Sequence, residues 1–136
     1  MILDTSVLLS ILFQEEDSNE WIQAINHNDK DRVSMSVANY LEATLRVDSL
    51  KNSSLSANLE ELIETLGIEL LPVSVNQIKL AREANLLFGK NAKSKAKLNY
   101  GDLFAYALAK ETKRPLLFKG NDFKHTGIQS YNFHKH

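Results

Sequence analysis

Apolar and polar positions along the chain fall into short continuous runs and longer stretches of helical period. Met1-Ile2-Leu3 is a short apolar run that ends on Asp4, followed by Thr5 and Ser6 and then a second apolar run over residues 7–13. That second run is too short for its period to classify, and Gln14-Glu15-Glu16-Asp17 closes it. Asp17-Ser18-Asn19-Glu20 has the spacing of a helix start, with Asp17 as cap and Glu20 behind it, and Trp21, Ile22 and Ile25 form the buried stripe. His27-Asn28-Asp29-Lys30-Asp31 reads as a polar turn and residues 32–35 as a brief strand. Ser36 then caps a helix running to about Leu50, whose apolar positions Val37, Leu41 and Leu45 recur at helical spacing.

After a loop at Asn52-Ser53-Ser54, Leu55, Leu59, Leu62, Ile63 and Leu66 predict the clearest amphipathic helix, closed by Gly67. Residues 68–73 read as a third strand, with Pro72 placing it at an edge or ending it. Ser74-Val75-Asn76-Gln77 opens a helix that carries Ile78, Ala81, Ala84 and Leu87 as far as Gly89. A loop with Lys90, Lys93, Lys95 and Lys97 leads to a helix opened by Asn99 that bears Leu103, Phe104, Ala107 and Leu108. Residues 114–118 form a fourth strand, and Lys119-Gly120-Asn121-Asp122 turns out of it. Strands alternating with helices predict an α/β fold with a mainly parallel sheet covered on both faces. Right-handed crossovers bring every strand's C-terminal end to one edge, where open sheets of this type bind ligands near the reversal of strand order.

Composition adds bounds. At 136 residues, 43% hydrophobic and 24% charged, the chain has the make-up of one soluble globular domain spanning 1–136. No run is long and apolar enough for a transmembrane helix, and the opening residues lack the pattern of a signal peptide. With no cysteine there are no disulfides or thiolate metal sites, and a cytoplasmic location is expected. A formal net charge of −1 removes the global basic field of a nucleic-acid-coating protein, leaving only local patches for phosphate contact.

The chemistry lies in carboxylates at the predicted sheet edge. Asp4 ends the first strand and Asp122 lies just beyond the fourth. Glu42 is about six residues into a helix that starts from that edge, roughly 9 Å along its axis. Asp102 lies in the first turn after Asn99, where free amides favour a negative charge. Each has a plainer use: Asp4 as a helix cap, Glu42 as a partner for Arg46, Asp102 as the partner of Asn99, Asp122 as a turn residue. Converged carboxylates repel, and at least one would hold its proton unless a cation were present. Oxygen-only ligands favour Mg²⁺ or Mn²⁺ over Zn²⁺, and such ions serve in-line attack of water on phosphorus. The pattern therefore predicts metal-dependent phosphodiester cleavage.

At these residues the sequence resembles the PIN-domain ribonucleases, and specifically the VapC-type toxins of type II toxin–antitoxin systems. The resemblance rests on Met1-Ile2-Leu3-Asp4-Thr5-Ser6, on Leu41-Glu42-Ala43, on residues 98–109 including Asn99-Tyr100-Gly101-Asp102, and on residues 115–123 ending in Asp122-Phe123. It implies a three-layer α/β/α PIN-like domain with Mg²⁺ or Mn²⁺ in an acidic pocket. Asp4, Glu42, Asp102 and Asp122 match the family's acidic positions, with Asp122 at the corner where the family varies. Asp4, Asp102 and Glu42 are expected to hold one ion and Asp122 a second ion or the attacking water. Ser6 matches a supporting hydroxyl beside the metal, while Thr5 is assigned to the turn. The implied function is an endoribonuclease toxin acting on RNA as a homodimer, blocked by a cognate VapB-type antitoxin, with DNA reached only through that antitoxin. The alternative is a non-catalytic binding module whose pocket receives a partner's side chain.

Several residues carry secondary expectations. The lysines of residues 90–97 serve either RNA phosphates or a solvated loop. Lys119 and Lys124 flank Asp122 and are candidates for a phosphate contact. Phe13 and Trp21 are candidates for the antitoxin groove, with core packing the preferred use. His134 and His136 have metal-like spacing but stand at a chain end, and His125 reads as a surface turn. Phosphotransfer enzymes fit poorly. A haloacid-dehalogenase-type site needs an Asp where Ser6 stands, and a receiver domain needs one where the third strand ends in Pro72-Val73-Ser74.

Overall fold

The computed structural model describes residues 1–28 and 32–130; Asp29, Lys30 and Asp31 of the expected polar turn, and His134 and His136, lie outside the described residues. Four short strands form one parallel sheet: β1 (Ile2–Leu3), β2 (Ser34–Ser36), β3 (Glu69–Leu71) and β4 (Leu116–Leu117). Their order is β3-β2-β1-β4, with Ile2 opposite both Ser34 and Leu116 and Met35 opposite Leu70. The helices α1 (Thr5–Leu12) and α2 (Ser18–Asn26) join β1 to β2, and α3 (Val37–Asp48) and α4 (Ser53–Thr65) join β2 to β3. The last crossover carries α5 (Val75–Phe88) and α6 (Tyr100–Thr112), and a 3₁₀ turn, Asp122–His125, follows β4. The edge position foreseen from Pro72 is that of β3.

Neighbouring residues of a strand point to opposite faces, and this divides the core in two. Met1, Leu3, Met35 and Leu117 face α1–α4, packing on Val7, Leu8, Ile25, Val47, Leu59 and Ile63. Ile2 and Leu116 face the other way, onto Ala84 of α5 and Ala105, Leu108 and Ala109 of α6. The result is the three-layer α/β/α arrangement. The alanines of α6 let its backbone lie close over the centre of the sheet, against β1, β2 and β4. At the edge opposite the carboxylates, Arg114 Nη2 donates to Met1 O at 3.3 Å and Ser34 Oγ at 2.9 Å, and Arg32 pairs with Glu69 at 2.6 Å. Among the described residues no helix is long and apolar enough to cross a membrane.

Side chains of Ser36, Asn52, Ser74 and Asn99 cap the helices they precede, as local sequence predicts for three of them; Asn52 turns its predicted loop into a cap. Gly67, at φ +65°, closes α4 in a conformation costly for a residue with a Cβ. Asp17 does not cap α2. Its carboxylate instead accepts the Ser10 hydroxyl at 2.7 Å and pairs with Lys119 at 3.3 Å.

One predicted helix face is reversed and a second is divided. Val37, Leu41 and Leu45 are 38%, 55% and 61% exposed, while α3 turns Asn39, Ala43 and Val47 into the protein. Both rows have helical spacing and lie on opposite sides of one helix, so period alone could not choose between them. In α5 the predicted stripe is divided: Ala81 and Ala84 are buried, Ile78 and Leu87 exposed. Small side chains are selected where helices approach closely, which leaves the larger apolar ones outside.

Candidate active site

The strands β1, β2 and β3 step in one direction across the sheet and β4 lies on the other side of β1. Strand order thus reverses at the β1–β4 boundary, and Asp4 emerges there. Its N–H donates to Leu117 O at 3.0 Å, and the residue is 4% exposed. Asp4 also caps α1: Oδ2 accepts the Ser6 N–H at 3.2 Å and the Ser6 hydroxyl. Cap and site acid are therefore the same carboxylate. Burial pushes its pKa up, the Ser6 bonds oppose that shift, and the charge of Glu42 adds to it.

Ser6 Oγ in turn accepts the Lys119 N–H at 3.1 Å, tying the start of α1 to the chain leaving β4. The Lys119 ammonium turns elsewhere, to Glu15 at 3.0 Å and Asp17 at 3.3 Å. This ion pair fastens the β4 exit to the α1–α2 corner. Phe13 and Trp21 pack against the core beside them, the use preferred from sequence.

Glu42 reaches the same place from α3. Its Oε1 accepts the Thr5 hydroxyl at 2.7 Å and Asn39 Nδ2 at 3.4 Å, and Nδ2 also donates to Gly101 O at 2.9 Å. Gly101 makes this approach possible, because a Cβ there would lie 2.2 Å from Glu42 Oε2. Asp102, the next residue, sits in the first turn of α6. Its Oδ2 accepts the Asn99 N–H at 2.9 Å while its own N–H donates to Asn99 Oδ1 at 2.9 Å, a reciprocal capping box.

Asp102 reports on its neighbours. Its carboxyl is pushed up to about 7, first by burial and then by the charges of Asp4, Asp122 and Glu42, against the lowering bond from Asn99. Of these four acids, three from other segments thus act on Asp102 at the strand-order reversal. They are graded by depth: Asp4 is buried, Asp102 half-buried, and Glu42 and Asp122 are on the exposed rim. Asp122 is the loosest, held at the start of its 3₁₀ turn by the buried Phe123 behind it.

Among the described residues no group of three His, Cys, Asp or Glu side chains is arranged to hold a metal ion as it stands. The chemistry of the donor set nevertheless suits a hard cation. The charges of Asp4, Asp122 and Glu42 all reach Asp102, and the buried Asn39 Oδ1 has no hydrogen-bond partner; all are oxygen donors of the kind a hard cation takes. Sequence reasoning missed Thr5, Asn39 and Gly101. Asn39 lies three residues before Glu42, on the same helix face, and Gly101 directly precedes Asp102; both spacings were legible, but the contacts are tertiary.

Residues 1–129 match the PIN domain family. The chain belongs to the PIN-domain family, and within it to the VapC ribonucleases. It is 43% identical over 129 residues to ribonuclease VapC28 of Mycobacterium tuberculosis, covering 95% of this chain and 96% of that one. It is 38% identical over 128 residues to ribonuclease VapC30 of the same organism, with 94% and 95% covered. Among solved structures, VapBC2 of Rickettsia felis, bound to a promoter DNA fragment, superposes with a TM-score of 0.73 at 13% identity, over 95% of this chain and 94% of that one. The sarcin-ricin-loop-cleaving toxin VapC20 of Mycobacterium tuberculosis gives a TM-score of 0.72 at 10% identity, over 93% and 95%. These two likenesses concern the fold.

Proposed function

We propose that this chain is a divalent-metal-dependent endoribonuclease toxin working as one PIN-like domain over residues 1–136. The observation that carries the proposal is the meeting of three segments: Thr5, beside Asp4, bonds Glu42 at 2.7 Å, and Glu42 lies against Gly101, beside Asp102. Asp4, Asp102 and Glu42 would hold a Mg²⁺ or Mn²⁺ ion, with Asp122 holding a second ion or the attacking water. Bound there, such an ion would supply activation of water and offset of the charge that builds on phosphorus during in-line displacement. The chain's own groups prepare the site. Ser6 fixes Asp4 Oδ2, Thr5 and Asn39 fix Glu42 Oε1, and Asn99 fixes Asp102 Oδ2. Asp4, Glu42 and Asp102 are thereby oriented before substrate arrives, which is where positioning contributes to rate.

Partner readings follow the relatives. Those at 43% and 38% identity are named ribonucleases, which supports RNA as substrate. The structural neighbours include a toxin–antitoxin complex from Klebsiella pneumoniae and the Rickettsia felis VapBC2 assembly on DNA, which support a VapB-type antitoxin that carries any DNA contact. The exposed Leu41 and Leu45 on the outer face of α3 support a homodimer. A cytoplasmic location accords with RNA as substrate and with the absence of cysteine.

The test is cleavage of a panel of structured RNAs with Mg²⁺ or Mn²⁺ by wild type, Asp4→Asn and Asp102→Asn. Wild type is expected to cut and both variants to lose activity. Equal cleavage by all three would remove these residues from the mechanism. No cleavage by any, with tight antitoxin binding retained, would favour the non-catalytic module.

A further inference from the structure

One cavity of ligand size lies outside the acidic cluster. It encloses about 550 Å³ between the C-terminal end of α5, the lysine-bearing loop and the first turn of α6. That volume is within the roughly 300–1,000 Å³ of ligand-sized pockets. Leu98 and Leu103 give it an apolar side, and Asn85, Asn91, Asn99 and Lys90 a polar one. Tyr100 belongs both to this cavity and to the smaller one that contains Glu42, so its ring, 77% exposed, stands between the pocket and the acids.

The loop that walls the pocket is built in place. Ala96 and Leu98 are buried, Leu98 N donates to Phe88 O at 2.9 Å, and Lys97 Nζ donates to Ala92 O at 2.9 Å. Gly89 lets Asn85 fold against the end of α5, because a Cβ there would meet Asn85 Oδ1 at 2.3 Å. Asn99 spends its Oδ1 on the Asp102 N–H, and its backbone N–H on the Asp102 carboxylate.

Resting on the ribonuclease reading, we infer that this cavity is a nucleotide subsite: it takes one unpaired RNA base beside the cleaved bond and sets part of the sequence preference. Side-chain amides offer a donor and an acceptor together, the pattern that base edges require. An exposed tyrosine ring over an apolar wall is a stacking platform that tolerates any base. Lys90 is the cation on the rim for the adjoining phosphate. Because Asn99 is at once a wall of the pocket and the clamp on Asp102, a base seated here lies next to the catalytic acids along the chain.

The experiment sequences the cut sites made by wild type, Asn85→Ala/Asn91→Ala, Lys90→Gln and Tyr100→Leu in a random-sequence RNA pool with Mg²⁺ or Mn²⁺. The double asparagine variant should flatten the preference at one base position by about ten-fold, and Tyr100→Leu and Lys90→Gln should raise KM by about ten-fold. Unchanged base preference and KM in all of these variants, with wild type active, overturn the subsite and leave the nuclease standing. If wild type cuts nothing, the nuclease reading fails. A metal-free NMR titration with the four nucleoside monophosphates then decides. Shifts of the Asn85 and Asn91 side-chain amides uphold the pocket as a nucleotide site, and their constancy overturns it.

Discussion

A methyl group at Gly101 would lie 2.2 Å from Glu42 Oε2 and 2.5 Å from Oε1, where ordinary contact begins at 3.4 Å. The obstructed atoms are the end of a flexible side chain, so in Gly101→Ala the carboxylate swings away and the helices stay in place. The stability terms then oppose one another. Losing the Thr5–Glu42 hydrogen bond costs about 0.5–1.5 kcal/mol, and replacing glycine by alanine within a helix returns up to about 1 kcal/mol. Net stability should change by no more than about 1 kcal/mol, whereas a misplacement of about 1 Å at a reacting centre lowers the rate by about 10²-fold. Cleavage kinetics on an RNA that wild type cuts, run beside urea denaturation of both proteins, separate the two effects. Gly101→Ala cutting within about two-fold of wild type, while Glu42→Gln is inactive, would refute the argument that Gly101 exists to admit Glu42.

The remaining expectations concern the same acids. Asp102 is raised to about 7 in the folded protein against about 3.9 unfolded, so the unfolded chain loses this proton first. Its contribution to metal-free stability is complete below about pH 4, declines as pH rises and is gone above about pH 7. Asp102→Asn should therefore stabilise the chelator-treated protein at pH 8 by about 1–2 kcal/mol, after discounting for partial exposure, with little effect at pH 4; identical pH dependence in urea melts would contradict this. Thr5→Val should lower the cleavage rate and Thr5→Ser largely retain it, because the hydroxyl that holds Glu42 Oε1 is what matters. A Thr5→Val enzyme at full rate would return Thr5 to a turn role.

Much of the arrangement follows from local sequence. The strand–helix alternation, the caps at Ser36, Ser74 and Asn99, the edge position of β3 and the four candidate acids depend on patterns within a few residues. Side-chain contacts between distant segments do not follow from such patterns. Val37, Leu41 and Leu45 have the spacing of a buried stripe and lie outside, because the close approach of α3 to α6 selects Asn39, Ala43 and Gly101. Lys119 sits near Asp122 in the chain, yet its ammonium is drawn to Glu15 and Asp17, about a hundred residues earlier.

The sequence by itself determined which acids would come to one edge of the sheet, since a parallel α/β chain must bring its strand ends to one side. Only the tertiary structure decided how those groups are held. Thr5 on Glu42, Asn39 on Gly101 O and Ser6 on the Lys119 N–H each join residues far apart in the chain. Hydrogen bonds of about 3 Å and a missing Cβ depend on packing between helices, and packing has no period that a sequence displays.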